Sequence, residues 1–314
     1  GGFPAATKAV AEWFPIHERS TAMGVINAGT AVGAVVAPPL IAAVLVHSSW
    51  RWVFILCGAV GLLWTVWWVK SYYAPAQHPQ LSETERVEIE EVLTTAPQSK
   101  SQVSWLSLFS YPQVWGLVFG KFLSDAAWYF YLFWLPKYLY DVRGFDTKQI
   151  GYFAWIPYAA AGVGSLVGGW FSSRLLRSGR SLNISRKVAL GASAAMMPWI
   201  IFVTQSPVEL SIVLFSIVFF GQQSWSTLVM VLPADIFPRR VVGSVAGLVG
   251  FGGAMGGVVF NLVAGDLLDR GFGYGLLFAL VSTFHIFAFC LILLTIRVVR
   301  PVELSFAELK GAAS

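Results

Sequence analysis

Lys121 and Asp125 are the residues whose types and spacing could do chemistry in this chain. They stand four residues apart in the run G-K-F-L-S-D-A-A-W-Y-F-Y-L-F-W-L-P, so a helix would place both on one face, which Trp128 and Tyr129 continue. A charge at the centre of a bilayer costs about 2.5–3.5 kcal/mol, and such residues usually face a cavity or a partner. Two interpretations stay open. The pair is structural and neutralises itself, or Lys121 offers a cation to an anionic substrate while Asp125 holds it. An aromatic wall beside a cation suits a carboxylated sugar.

A second polar cluster interrupts another apolar run, F-G-Q-Q-S-W-S-T. Adjacent glutamines in an apolar helix are costly unless they are hydrogen-bonded, so at least one should face the interior. Asn27 and Thr30 lie three residues apart on one face of an earlier helix. The candidate binding residues are therefore Lys121, Asp125, Trp128, Tyr129, Gln222, Gln223, Trp225, Asn27 and Thr30.

The composition indicates an all-α polytopic membrane protein. The chain is 56% hydrophobic, 15% aromatic and only 12% charged. Apolar runs of about 20 residues, the length that crosses a bilayer, follow one another without the alternation of barrel strands. After a stub at 1–14, we predict spans at 20–46, 50–72, 112–140, 149–174, 186–205, 208–234, 241–266 and 274–298.

The distribution of basic residues predicts the orientation. Alternate connections and the C-terminal tail carry 15 of the 21 lysines and arginines, whereas the other connections carry 5. Because basic residues concentrate on the cytoplasmic side, the C-terminus should lie in the cytoplasm and the protein in the cytoplasmic (inner) membrane.

The polar stretches predict the domain organisation. Residues 1–73 form the remainder of an N-terminal helix bundle, 74–111 a cytoplasmic linker, 112–300 a C-terminal six-helix bundle and 301–314 a cytoplasmic tail. Ser82 and Glu85 would cap a short acidic helix in the linker. The linker should act as a solvated strap, the alternative being a regulatory docking site.

An internal repeat relates residues 12–34 to residues 235–257 with a shift of 223. The matched positions are Glu12 with Asp235, Phe14 with Phe237, Pro15 with Pro238, Gly29 with Gly252 and Gly33 with Gly256. Such register indicates a duplicated helical half. In the second half, four predicted spans, from 112 to 234, precede the repeated segment, whereas only 11 residues precede the first copy, so we expect the chain to begin at the end of a fourth helix.

This repeat resembles the two halves of the major facilitator superfamily. Three stretches resemble, more closely, the hexuronate transporters of its anion:cation symporter family: G-F-P-A-A-T-K-A-V-A-E-W-F-P-I-H-E-R-S with G-A-V-V-A-P-P-L, S-W-R-W-V-F-I-L-C-G, and K-F-L-S-D-A-A-W-Y-F-Y-L-F-W-L-P. The resemblance implies the major facilitator fold from the end of helix four to helix twelve. It also implies proton-coupled uptake of glucuronate or galacturonate by alternating access.

The resemblance also implies roles for individual residues. Lys121 and Asp125 match a basic and an acidic position of the hexuronate-type members. Thr30 and Gly253 stand at or near positions where galactonate-type relatives have Gln and Asn, which argues against galactonate. Ser172 or Ser173 stands where a loop signature often has Asp, so a full Asp–Arg relay is not expected there. The family's proton-coupling acids lie before Gly1, so we expect this chain alone not to transport.

No enzyme constellation is present in the sequence. It has no metal-ligand spacing, no phosphate-binding loop outside the apolar spans and no nucleophile beside a base, so neither an enzyme nor a cofactor is expected. The expected partners are a small organic anion, protons and the lipid bilayer, but not nucleic acid, and a monomer is expected. The alternatives are a symporter for another carboxylate, such as galactonate or an aromatic acid, and a transporter-like solute sensor.

Overall fold

A computed structural model describes residues 2–75, 78, 79, 82 and 105–302, and the regular structure in these residues is helical. The helices are α1 (Gly2–Trp13), α2 (Arg19–His47), α3 (Trp50–Ser71), a 3₁₀ helix (Trp105–Ser110), α4 (Pro112–Asp141), α5 (Thr147–Phe153), α6 (Trp155–Arg177), α7 (Leu182–Ala195), a second 3₁₀ helix (Met197–Gln205), α8 (Val208–Ile236), α9 (Arg239–Asp269) and α10 (Tyr274–Thr295).

The helix lengths confirm the all-α membrane class. Among the described residues, 6 helical segments are long and apolar enough to cross a bilayer: Arg19–Ala37, Trp50–Ser71, Leu182–Gln205, Val208–Ile236, Arg239–Asp269 and Tyr274–Thr295. The other two predicted spans also form helices, α4 and α6. They are less apolar because α4 contains Lys121 and Asp125 and α6 is rich in glycine and serine.

Two predicted spans are interrupted in the structure. The span at 149–174 divides at Ala154 into α5 and α6, and the span at 186–205 begins earlier, at Leu182, and becomes a 3₁₀ helix at Met197. A proline follows each break, Pro157 and Pro198. Proline lacks the N–H that continues a helix, and its ring clashes with the carbonyl four residues earlier. The breaks therefore fall where the sequence disfavours a continuous α-helix.

Close helix pairs position the candidate residues. The most extensive contacts are made by α4 with α9, α6 with α8, and α2 with α6. Gly24 of α2 shows how close the α2–α6 approach is, because an added methyl would lie 2.6 Å from the carbonyl oxygen of Ser165. Small residues permit this approach between membrane helices. The first helices, α1 and α2, thus pack directly on the α4–α10 group, and most of the candidate residues lie along this boundary.

Two predicted segments lie outside the described residues. They are the short acidic helix of the linker, at residues 83–93, and the tail beyond Val302. Within the described part, α3 buries none of its residues. The division into bundles at 1–73 and 112–300 remains a prediction.

Candidate functional site

A cavity of about 460 Å³ lies between α2 and the α4–α9 helices. It is lined by Phe3, Asn27, Thr30, Ala31, Ala34, Lys121, Asp125, Trp128, Tyr129, Leu132, Tyr158, Ala161, Gln223, Ser226, Met230 and Gly250. The volume falls within the range of small-molecule sites, and an apolar lining with a few polar groups is typical of them. Seven of the nine candidate residues from the sequence are among these lining residues.

The charged pair of α4 stands at this cavity. The ammonium nitrogen of Lys121 lies 2.8 Å from Oδ1 of Asp125 and donates to the hydroxyl of Ser226 on α8 at 2.9 Å. The two side chains are 8% and 13% exposed, so the pair is nearly buried but reachable from the cavity. An ammonium group has three donors. Asp125 and Ser226 use two of these among the described residues, which leaves the third for a ligand.

Aromatic side chains form one wall beside this cation. Trp128 and Tyr129 are half-buried and follow Asp125 by about one helical turn. Trp128 packs edge-on against Phe219 with ring centroids 5.5 Å apart, and Tyr129 stacks on Phe133 at 6.1 Å. Each of these side chains thus has an aromatic neighbour, and together they present an apolar surface to a bound solute.

Neutral polar groups line the side toward α2. The Asn27 side-chain amide donates to the Thr227 hydroxyl at 2.9 Å and to the backbone carbonyl oxygen of Gln223 at 3.4 Å. Thr30 donates to the carbonyl oxygen of Asn27 at 2.7 Å and accepts from the Gln223 amide at 3.4 Å. The bond from Thr30 to Asn27 lies within α2, and the other three connect α2 with α8 across the boundary between the helix groups. The hydroxyls of a polyhydroxylated solute could take the place of one partner in such bonds.

Gln222 and Trp225 lie outside the cavity, unlike the other candidates. Both are 0% exposed, and the Gln222 amide donates to the carbonyl oxygen of Ser124 at 3.3 Å. The Trp225 ring packs edge-on against His285 at 5.4 Å. Residues 222 and 225 share one face of α8, whereas 223 and 226 share the neighbouring face that reaches the cavity. The candidate set taken from the structure therefore omits Gln222 and Trp225.

The structure adds a second ionic cluster that the sequence reasoning missed. Asp235, at the end of α8, accepts from Nε of Arg186 at 2.7 Å and from Nη1 of Arg19 at 3.4 Å. The Asp235 and Arg186 side chains are both 0% exposed. Arg186 also donates to the Ser172 hydroxyl at 2.8 Å, so this serine joins the cluster without supplying the charge of an aspartate. The match of Glu12 with Asp235 in the repeat could have pointed to this cluster. An acidic residue repeated at the end of a span is a candidate partner for a basic residue.

Fold and cavity together define a multi-pass helical membrane protein with a small-molecule cavity between two groups of helices. The chain belongs to the Major Facilitator Superfamily, because the model of that family matches residues 1–261. The chain is 34% identical to the hexuronate transporter of Escherichia coli (strain K12) over 292 residues, which cover 90% of this chain and 66% of the relative. It is 35% identical to the galacturonate transporter of Dickeya chrysanthemi over 210 residues, covering 65% of this chain and 61% of the relative.

A solved structure shows the same fold. The proton:xylose symporter XylE superposes with a TM-score of 0.71 at 16% identity, covering 94% of this chain and 67% of XylE. The chain thus spans about two thirds of the length of the proteins that it matches, with 66% of the hexuronate transporter covered. The predicted family and fold class are confirmed. The expectation that the chain is not an enzyme is confirmed as well, because this family and these relatives are transporters.

Proposed function

We propose that the protein is a secondary active transporter that imports a hexuronate or a related sugar acid with protons by alternating access. It would act in the cytoplasmic membrane as a monomer. The observation that carries the proposal is the Lys121 ammonium group at a cavity of about 460 Å³ between two helix groups. The printed names of the hexuronate and galacturonate transporters support this substrate class.

Lys121 would recognise the carboxylate of the substrate. Asp125 and Ser226 hold its ammonium nitrogen at 2.8 Å and 2.9 Å, so little reorganisation is needed when an anion binds the third donor. Hydrogen bonds between ionised groups are shorter and stronger than neutral ones, and burial strengthens them further. The C–H face of the sugar would pack on Trp128 and Tyr129, while its hydroxyls exchange bonds with the α2–α8 network.

Alternating access would require the contacts between α2 and the later helices to open. On one side of the cavity, Arg19 contacts Asp235 at 3.4 Å and the hydroxyls of Ser20 and Ser173 lie 2.8 Å apart. By the predicted orientation, this side faces the cytoplasm. Release of the substrate to the cytoplasm would therefore separate these pairs as one helix group rocks against the other.

Uptake of labelled glucuronate, galacturonate and galactonate by cells expressing the complete gene tests the proposal. We expect saturable uptake of the two hexuronates that is stimulated by an inward proton gradient, and exchange in liposomes. A solute sensor would bind without exchange, and a symporter for another carboxylate would prefer galactonate or an aromatic acid. Absence of uptake and exchange for all of these acids would refute the proposal.

A charge-removing variant tests the role of the site. Lys121→Gln keeps hydrogen bonding but deletes the cation, and the loss of a charged hydrogen bond should weaken hexuronate binding about tenfold or more. Lys137→Gln is the matched control. Lys137 forms the same i,i+4 pair on the same helix, with Asp141 at 2.7 Å, but its side chain is 55% exposed. Unchanged hexuronate binding by a folded Lys121→Gln protein would exclude Lys121 from the site.

A further inference from the structure

Two sets of glycines on α9 face α4, and they meet different atoms there. A methyl group added to Gly252 would lie 2.7 Å from the backbone carbonyl oxygen of Val118. One added to Gly256 would lie 2.7 Å from the backbone carbonyl carbon of Phe122 and closer still to its oxygen. Backbone atoms in the middle of a helix cannot move away alone. Gly252 and Gly256 therefore determine how closely α9 approaches α4.

Gly253 and Gly257 instead meet side chains of the cavity. A methyl added to Gly253 would lie 3.0 Å from Cγ of Asp125 and 3.0 Å from Cγ of Lys121, and closer still to Oδ2 of Asp125. One added to Gly257 would lie 2.7 Å from Cγ of the Tyr129 ring. These side chains can rotate while the helices stay in place. A substitution here should change the geometry of the site more than the packing of the helices.

We propose that Gly253 is a positioning residue for the anion site, an inference that rests on the proposed function. Without a side chain at this position, the Asp125 carboxylate lies against α9 and contacts Lys121 at 2.8 Å. Any side chain at residue 253 would push the carboxylate away from α9, toward the cavity that Asp125 lines. The negative charge would then enter the space of the substrate carboxylate. Gly253 thus leaves the Lys121 ammonium group accessible and keeps the Asp125 carboxylate out of the space that the substrate carboxylate would occupy.

Electrostatics predicts whether Gly253→Ala weakens or strengthens glucuronate binding. Like charges brought together in a binding site oppose association strongly. Gly253→Ala should therefore weaken glucuronate binding by about tenfold or more. The protein should lose little thermal stability, because the displaced atoms belong to a rotatable carboxylate. Replacing glycine by alanine within a helix also favours the helix, and this gain is the same at neighbouring positions on α9.

The experiment measures glucuronate affinity and thermal unfolding on the purified gene product and three alanine variants. Gly247→Ala is the control, since the added methyl would meet no atom within 4 Å beyond its own stretch of helix. Its affinity should stay unchanged, and its unfolding temperature should change only by the gain in helix propensity that all three variants share. Gly256→Ala should lower the unfolding temperature because of its backbone contact. Gly253→Ala should weaken binding with only a small decrease in the unfolding temperature. Wild-type affinity in the Gly253→Ala variant would overturn the inference.

A double-mutant cycle with Asp125→Ala tests the mechanism. Removing the carboxylate removes the closest group that the new methyl would meet and leaves only the contact at 3.0 Å with Cγ of Lys121. Gly253→Ala should then have a much smaller effect on affinity and unfolding temperature. Equal losses from Gly253→Ala with and without the carboxylate would also overturn the inference. The measurement of thermal unfolding needs no ligand. If the wild-type protein bound no sugar acid, the proposed function would fail. A change in unfolding temperature on Gly253→Ala, relative to Gly247→Ala, that disappears in the Asp125→Ala background would still support displacement of the carboxylate by the methyl group, and its absence would overturn the inference.

Discussion

Replacing Asp235 by asparagine should destabilise the protein more than any other single change in its buried ionic cluster. Asp235 is the only carboxylate that contacts the two guanidinium groups of Arg186 and Arg19 in the described part of the chain, at 2.7 Å and 3.4 Å. The cluster carries one positive charge in the wild-type protein. Asp235→Asn raises it to two positive charges with no counter-ion, whereas Arg186→Gln leaves the neutral pair of Asp235 and Arg19.

The contacts of Arg186 indicate how much free energy of unfolding Asp235→Asn would lose. Removing one partner of a buried ion pair costs about 3–5 kcal/mol. Arg186 keeps its bonds to the hydroxyls of Ser172 and Ser20 at 2.8 Å and 2.9 Å, so the lower end of that range applies. We expect about 3 kcal/mol for Asp235→Asn. For Arg186→Gln we expect about 2 kcal/mol, the size of a lost charged hydrogen bond.

Denaturant or thermal unfolding in detergent measures both variants. Asp266→Asn is the control, because Asp266 pairs with Arg270 at 2.9 Å while the two side chains are 56% and 67% exposed. An exposed pair contributes at most about 1 kcal/mol. If Asp235→Asn cost no more than Asp266→Asn, or less than Arg186→Gln, the charge argument would be refuted.

Three further predictions follow from the site and the topology. If Lys121 and Asp125 form only a structural pair, each single neutral substitution should lower stability and the double substitution should restore it, whereas a binding role predicts lost affinity in a stable Lys121→Gln protein. A cysteine at Ser178 should react with an impermeant reagent only after cells are permeabilised, and labelling of intact cells would contradict the predicted orientation. Gln223→Leu should weaken substrate binding, whereas Gln222→Leu should change stability alone; an equal loss of affinity in both would place both side chains at the substrate.

The sequence allowed the helices to be predicted well because hydrophobic length is a local property. The predicted spans coincide with helices of the structure to within a few residues at most ends. The two breaks come before Pro157 and Pro198, but Pro136 and Pro233 lie inside the continuous helices α4 and α8. A proline alone therefore does not predict which apolar span is interrupted.

The site was predicted less completely because it depends on which helix faces meet. Nothing in the run of residues 222–226 says whether Gln222 or Gln223 turns toward the cavity; that choice follows from the packing of α8 between α4 and α6. The pairing of Arg186 with Asp235 joins residues 49 apart in the chain and on different helices. Pattern reasoning therefore found the polar residues of the cavity but not their partners.

Two of the polar contacts between α2 and α8 lie at different distances from the cavity. Arg19 meets Asp235, and Asn27 meets Thr227, so the contacts stand eight residues apart on each of these antiparallel helices, roughly 12 Å along the axes. The contact nearer the cavity is neutral, and under the proposed function substrate hydroxyls would compete for it directly. The ionic contact does not line the cavity. Substrate binding would therefore loosen the contacts between α2 and α8 only at the cavity, and the ionic contact would open through movement of whole helices.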